Sequence, residues 1–375
     1  MKKALKNVEL GVRRFLLSSL RVLARRRQAL PPDLDFNQCK ILFIRQDRIG
    51  DVLISTPIFA ALKNHYPGIT IDVFLSRNNN FVLANDQEIR KRWVYTKRIG
   101  AVLRTLKRIR SERYDFVVDL MDNPSATSTV LMLLAKGTWN VGLQKENAYA
   151  CDIVVPLRSR KDSHIVERIA QLLSVFGIDP GGEDLQIRYR TSPESDRQVE
   201  TFLTETGKHS VSLIGVNISA GSDTRFWGVR NYRELVRWLS ERFPSSCVVI
   251  LSKPEDKERV KGILEGNPAA VMVPETSFDS FAAWIRQLSV LISPDTSAVH
   301  LAAAFHVPSV ILYVQSNTDL RIWEPYNTVC EPLVTRVDDL TTISLRDVTA
   351  AVDRLVSRTD LIPARTREVT RRQRA

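Results

Sequence analysis

Lys40-Ile-Leu-Phe-Ile-Arg-Gln-Asp-Arg-Ile-Gly-Asp51, running on through Val52-Leu-Ile-Ser-Thr-Pro57, is the stretch that decides the fold. Its apolar run, 41–44, is too short for a helix and reads as a strand covered on both faces. A polar turn follows, with Gly50 permitting close backbone approach. Residues 52–66 then carry helical apolar spacing, with Pro57 near the first turn. Strand, polar turn and helix in that order open a parallel α/β sheet.

Working outward, residues 69–75 and 114–120 repeat the strand signal, and 100–112 read as a helix. Residues 164–176 read as a helix ended by Gly177. Residues 179–195 are rich in Pro, Gly and charge and mark a route between domains. The alternation then restarts, with strands at 212–217, 247–251, 270–273, 290–292 and 309–313 and helices at 232–242, 255–266, 278–287 and 297–305. The expectation is two tandem doubly wound Rossmann-like domains with a cleft between them, outside the carboxyl ends of the strands. The boundaries are a tail at 1–35, a first domain at 36–180, a linker at 181–210, a second domain at 211–342, a helix at 343–357 and a tail at 358–375. The last helix, 344–357, has no sheet partner and is expected to pack back across the domains.

The net charge of +12 is unevenly placed. Residues 1–27 carry net +8 and residues 358–375 net +4, so the stretch between them is neutral. A nucleic-acid enzyme more often carries its basic charge on the folded domains, so no nucleic-acid partner is expected. In the N-terminal tail Leu5, Val8, Val12, Phe15, Leu16, Leu20 and Leu23 recur at helical spacing between Lys and Arg. That pattern suits a basic amphipathic helix at an anionic membrane surface, or equally a solvated basic arm. The apolar runs are too short to span a bilayer, and the four cysteines lack zinc or redox spacing, which points to reduced thiols in the cytoplasm.

Three strand–turn segments carry candidate chemistry. Asp51 sits near a helix start at a strand's carboxyl end, where a carboxylate can accept a proton from a hydroxyl nucleophile; capping the helix is the competing role. In Ile292-Ser-Pro-Asp-Thr-Ser-Ala-Val-His300 a strand again feeds a helix start, which attracts phosphate. There Asp295 and Thr296 can bond sugar or ribose hydroxyls and His300 can reach a diphosphate, or they cap the helix and sit at the surface. In Asn217-Ile-Ser219-Ala-Gly-Ser222-Asp-Thr-Arg225-Phe-Trp227 the small polar residues suit a phosphate loop, and Arg225 can neutralise a leaving diphosphate. No P-loop, His/Cys metal cluster or Gly-x-Ser-x-Gly elbow is present, so no metal or cofactor is expected.

Taken together, these segments resemble glycosyltransferase family nine, the ADP-heptose:lipopolysaccharide heptosyltransferases. The resemblance is carried by residues 41–57 with Arg48-Ile-Gly-Asp51, by Ser219 to Trp227, and by His164-Ile-Val-Glu-Arg168. Pro294-Asp-Thr-Ser297 with His300-Leu-Ala-Ala-Ala304, and Trp323-Glu-Pro-Tyr326, complete it. It implies a GT-B fold, inversion at the anomeric carbon and no required metal. It implies Asp51 as general base and Ser219, Ser222, Arg225, Glu255, Asp295, Thr296, Ser297 and His300 around the donor, with Glu255 facing adenosine. Ser297, Ser252-Lys253 and Gln315 stand where the family has glycine, all on the donor side.

The expected activity is transfer of a heptose or related sugar from an ADP-sugar to a lipid A–core acceptor, in the cytoplasm at the inner membrane. Arg48, Arg77 and Arg98 are candidates to meet acidic groups of the acceptor. A nucleotide-sugar epimerase of the same fold and a non-catalytic sugar-nucleotide-binding protein are the rival readings; only turnover on a lipid acceptor separates all three.

Overall fold

The computed structural model describes residues 19–21, 29–96, 99–274, 277–315, 317, 319 and 323–359. The chain divides into two units, Met1–Arg188 and Tyr189–Ala375. The first runs β1 (Lys40–Ile44), α1 (Ile49–Leu53), α2 (Thr56–His65), β2 (Thr70–Ser76), β3 (Lys91–Tyr95), α3 (Ile99–Glu112), β4 (Phe116–Asp119), α4 (Ala126–Ala135), β5 (Trp139–Leu143), β6 (Ile153–Val155) and α5 (Ile165–Ala170). Its strands are all parallel, in the spatial order β3-β2-β1-β4-β5-β6.

The second unit runs α6 (Pro193–Glu205), β7 (Ser212–Asn217), α7 (Val229–Arg242), β8 (Ser246–Leu251), α8 (Lys257–Leu264), β9 (Val271–Met272), α9 (Phe278–Arg286), β10 (Val290–Pro294), α10 (Ser297–Ala304), β11 (Ser309–Val314), β12 (Cys330–Thr335) and α11 (Leu345–Thr359). Its parallel sheet has the order β12-β11-β10-β7-β8-β9. Both sheets are wired alike: the chain starts in the middle, builds outward, then returns to the other side of the first strand. The reversal falls between β1 and β4 in one unit and between β7 and β10 in the other. In open α/β sheets ligands bind outside the carboxyl ends of strands at that reversal.

In the first unit rings of Phe36, Tyr66, Phe116, Trp139 and Phe176 gather on one side of the sheet, with Phe116 and Phe176 centroids 5.1 Å apart. In the second, Trp227, Tyr232 and Phe243 join the apolar strand residues in a continuous core. Cys39, Cys151 and Cys247 are buried and Cys330 is half-buried. Burial pushes the Cys39 thiol up to about 11 and that of Cys330 to about 12.

Several elements differ from the sequence expectation. The helix expected over 52–66 is two helices, α1 and α2. Pro57 has no N–H for the Leu53 carbonyl, which instead accepts the Thr56 hydroxyl at 2.8 Å. The expected linker, 181–210, contains the 13-residue α6. Ser192 caps it, Pro193 starts it, and Glu194 and Asp196 lie in its first turn. It packs into the second unit, Phe202 meeting Trp284 edge-on with centroids 5.3 Å apart. The strands β3, β5, β6 and β12 and the helix α4 escaped notice; β12 carries Pro332, which suits only a sheet edge. The last helix, expected to cross between domains, instead packs α11 into its own unit, with Val348, Ala351, Val352 and Leu355 in the second core.

Candidate active site

β1 ends at Ile44, and the next side chain, Arg45, is 1% exposed. Its Nε donates to the Asp51 carbonyl at 2.8 Å and its Nη1 to the Leu120 carbonyl at 2.9 Å. Leu120 follows β4, so one buried guanidinium joins both sides of the reversal point. Arg45 also stands between two carboxylates, 3.3 Å from Asp47 and 3.7 Å from Asp51. Asp51 Oδ2 accepts the Arg48 N–H at 3.3 Å across the start of α1. Asp51 therefore caps the start of α1, and the cap holds its carboxylate at the carboxyl edge of the sheet.

Burial pushes the Asp47 carboxyl up to about 6, against the pull of Arg45, and the charges of Asp51 and Asp119 push the same way. Asp47 Oδ1 is buried and makes no hydrogen bond among the described residues. The turn is fastened by Asn79, fully buried after β2, whose Nδ2 donates to the carbonyls of Arg45 (3.1 Å) and Asp47 (3.4 Å). Asn79 Oδ1 in turn accepts the Ser76 N–H at 2.7 Å.

Across the reversal point, buried Asp119 accepts from Lys145 Nζ at 2.8 Å and from Ser128 at 3.0 Å. The following loop is held at Asp122, which accepts from Arg168 at 2.8 Å and Arg160 at 3.0 Å. Arg48 and Arg77 are exposed on the turns after β1 and β2. Arg98 lies outside the described residues.

In the second unit Asn217 closes β7 and Ser293 stands near the end of β10. Asn217 Nδ2 donates to Ser293 Oγ at 2.8 Å and to Thr296 Oγ1 at 3.3 Å, so it bridges the reversal point. Thr296 caps α10 through the Ala298 N–H at 3.3 Å. Ser297 opens that helix. Asp295 pairs with Arg225 at 3.4 Å, a long contact between side chains about a third exposed. Such a pair is weak, so Arg225 is available to a stronger anion.

Ser219 Oγ accepts the Lys253 N–H at 2.8 Å, which joins the loop after β7 to the loop after β8. Ser222 contacts Thr224 at 3.1 Å, and Glu255 is exposed in the turn that leads to α8. His300 is not a surface residue: it is 4% exposed, one turn into α10, with its ring 6.3 Å from that of Trp323.

The structure thus gathers Ser219, Arg225, Asp295, Thr296, Ser297 and His300 at one edge of the second unit, and Asp51 and Arg48 at the matching edge of the first. Arg45, Asp47, Asn79, Asn217 and Ser293 belong to these networks and were not singled out from sequence. The position of Arg45 and Asn217 at strand ends was the available signal. Among the described residues no three His, Cys, Asp or Glu side chains are grouped to hold a metal ion, and no helix is long and apolar enough to cross a membrane.

The sequence profile of glycosyltransferase family 9 (heptosyltransferase) matches residues 102–335. A lipopolysaccharide heptosyltransferase 3 of Escherichia coli is 24% identical over 292 residues, 74% of this chain and 84% of that protein. The fold matches a family 9 glycosyl transferase from Veillonella parvula with a TM-score of 0.75, 19% identity and coverage of 87% of this chain and 99% of that one. It also matches an E. coli heptosyltransferase with ADP-2-deoxy-2-fluoro heptose, with a TM-score of 0.68, 17% identity, and 84% and 99% coverage. The two-unit α/β architecture is GT-B-like, and this chain belongs to glycosyltransferase family 9, the heptosyltransferases.

Proposed function

We propose that the chain transfers a heptose, with inversion, from ADP-heptose to the inner core of a membrane-borne lipopolysaccharide precursor. The observation that carries this reading is the placement of Asp51, held at the reversal point of the first sheet by Arg45 and by the α1 backbone. The acceptor hydroxyl attacks the anomeric carbon. Its proton passes to Asp51, the bond from that carbon to the diphosphate oxygen breaks, and ADP leaves with the electron pair. Arg45 keeps Asp51 oriented. Arg225 and the α10 start receive the charge that develops on the diphosphate.

Ser219, Ser222, Glu255, Asp295, Thr296, Ser297 and His300 complete the proposed donor site. Its ligand class is supported by the ADP-sugar held by the E. coli structural relative. Arg48, Arg77 and Arg98 are assigned to the acceptor. The reaction is assigned to the cytoplasmic face of the inner membrane, with the basic N-terminal tail holding the enzyme near its lipid acceptor.

The test is mass spectrometry of a heptose-deficient lipopolysaccharide acceptor incubated with the protein and ADP-heptose. The expected product is heavier by one heptose residue. An epimerised nucleotide sugar with unchanged acceptor would replace this reading with the isomerase one.

A further inference from the structure

The surface helices of this protein mostly carry both signs of charge, and the signs are paired. On α7, Arg230 meets Glu234 at 2.9 Å, Arg233 meets Glu265 at 2.9 Å and Arg242 meets Asp353 at 3.0 Å. On α11, Arg354 and Arg358 both meet Glu331, at 2.9 and 2.7 Å. α3 is different. At about 100° per residue, Leu103, Arg104, Lys107, Arg108 and Arg110 share one exposed arc, with no acidic residue among them. Leu106 and Ile109, on the opposite side, are buried in the first unit's core. The one acid of the helix, Glu112, turns away to Arg90 (2.8 Å) and Lys91 (2.9 Å). Arg104 and Lys107 make no ion pair among the described residues. Leu103, between Arg110 and Lys107 on the arc, is 60% exposed, more than any other large apolar side chain described.

We propose that the outer face of α3 is a membrane-docking surface, with its cations over anionic lipid headgroups and Leu103 inserted between them. Arg110 donates to the Leu134 carbonyl at 2.7 Å and Arg108 lies 5.5 Å from the Trp93 ring centroid, but no carboxylate pairs with the row among the described residues, so its charge is left to attract a polyanion. A rigid polyanion such as nucleic acid is matched by cations alone, whereas a leucine standing among them gains only by entering an apolar phase. α3 begins just after the carboxyl end of β3, at the sheet edge that also carries Asp51. Docking along α3 therefore brings lipid to the edge where the acceptor is placed. The choice of lipid rests on the acceptor assigned above, and the surface uses residues other than the N-terminal tail.

The test is co-sedimentation of the full chain with vesicles of phosphatidylcholine alone or mixed with phosphatidylglycerol. Wild type is expected to bind only the mixed vesicles. Arg104→Glu with Lys107→Glu should weaken that binding on the order of tenfold or more at low salt. Leu103→Ser should weaken it severalfold while leaving the salt dependence unchanged. Circular dichroism verifies that both variants keep the fold. Unchanged affinity in both variants overturns the proposal. Loss in the charge variant with none in Leu103→Ser also overturns it and assigns the face to a soluble polyanion. Transfer to a delipidated acceptor, measured in parallel, separates the two readings: its absence in wild type removes the transferase reading and leaves the vesicle result standing.

Discussion

Arg45 grips Asp51 at both ends, donating to its carbonyl at 2.8 Å while its other nitrogen lies 3.7 Å from the carboxylate. The proposed base is thereby fixed from behind by a group that never reaches solvent. That arrangement separates two effects that mutagenesis usually confuses, loss of the proton acceptor and loss of its support.

Asp51→Asn should remove the acceptor and spare the support. The amide oxygen can still take the Arg48 N–H, so the fold should persist. Turnover should fall by about a hundredfold or more, the scale of a lost positioned base. ADP affinity should stay unchanged, because the proposed donor site lies in the other unit. Near-normal turnover in steady-state assays would reduce Asp51 to a helix cap.

Arg45→Met should do the reverse. It strands two carboxylates and the carbonyls of Asp51 and Leu120 in a buried place, at a cost of about 3 kcal/mol or more. Arg45→Lys keeps the charge but loses the fork, so its loss should be smaller. Urea denaturation monitored by tryptophan fluorescence would rank the two. Equal stability of Arg45→Met and wild type would contradict the buried network.

Asp47 gives a pH signature. Its carboxyl is raised from 3.8 to about 6 in the folded protein. A raised carboxyl is protonated more readily folded than unfolded, so its contribution to stability falls as pH rises from about 4 to about 6. Asp47→Asn removes that dependence and should be more stable than wild type at pH 7 but not at pH 4. Thermal melts at the two pH values test it. A stability gap independent of pH would mean that Asp47 is ordinary in its titration.

For the donor site, Arg225→Ala should weaken ADP binding about tenfold, the usual worth of one hydrogen bond to a charged group. Because His300 is buried, His300→Gln is the better probe there, and it too should weaken ADP. Titration calorimetry reads both. Unaltered affinity in the pair would move the diphosphate elsewhere.

Deleting residues 1–30 addresses the tail, whose residues 1–18 and 22–28 lie outside the described structure. Of the rest, Arg21 places its guanidinium 5.7 Å from the Tyr149 ring centroid. Flotation with anionic vesicles should decrease on deletion, while transfer to a soluble acceptor survives. Loss of that transfer without loss of flotation would assign the tail to the catalytic unit.

The sequence made the strand–turn–helix frame legible because buried parallel strands are short apolar runs and the helices between them keep a clear period. Asp51, Thr296 and Arg225 were visible because each sits where a strand hands over to a turn. What escaped notice has physical reasons. The single helix over 52–66 ignored the N–H that Pro57 cannot supply to Leu53. α6 went into a linker because its Ser192-Pro193 start was read as loop composition. Edge strands such as β12, half-exposed and carrying Pro332, have no strong period. Asn79 and Asn217 act through side-chain bonds to strands distant in sequence, and no local pattern announces those.

The buried thiols have a practical consequence. Cys39, Cys151 and Cys247 are shielded, and burial holds Cys39 and Cys330 well above neutrality, so little thiolate is present at pH 7. The native chain should therefore resist maleimide reagents while folded. A single cysteine introduced at an exposed position, such as Arg77 or Leu103, would then accept a fluorophore selectively, without first replacing the natural cysteines.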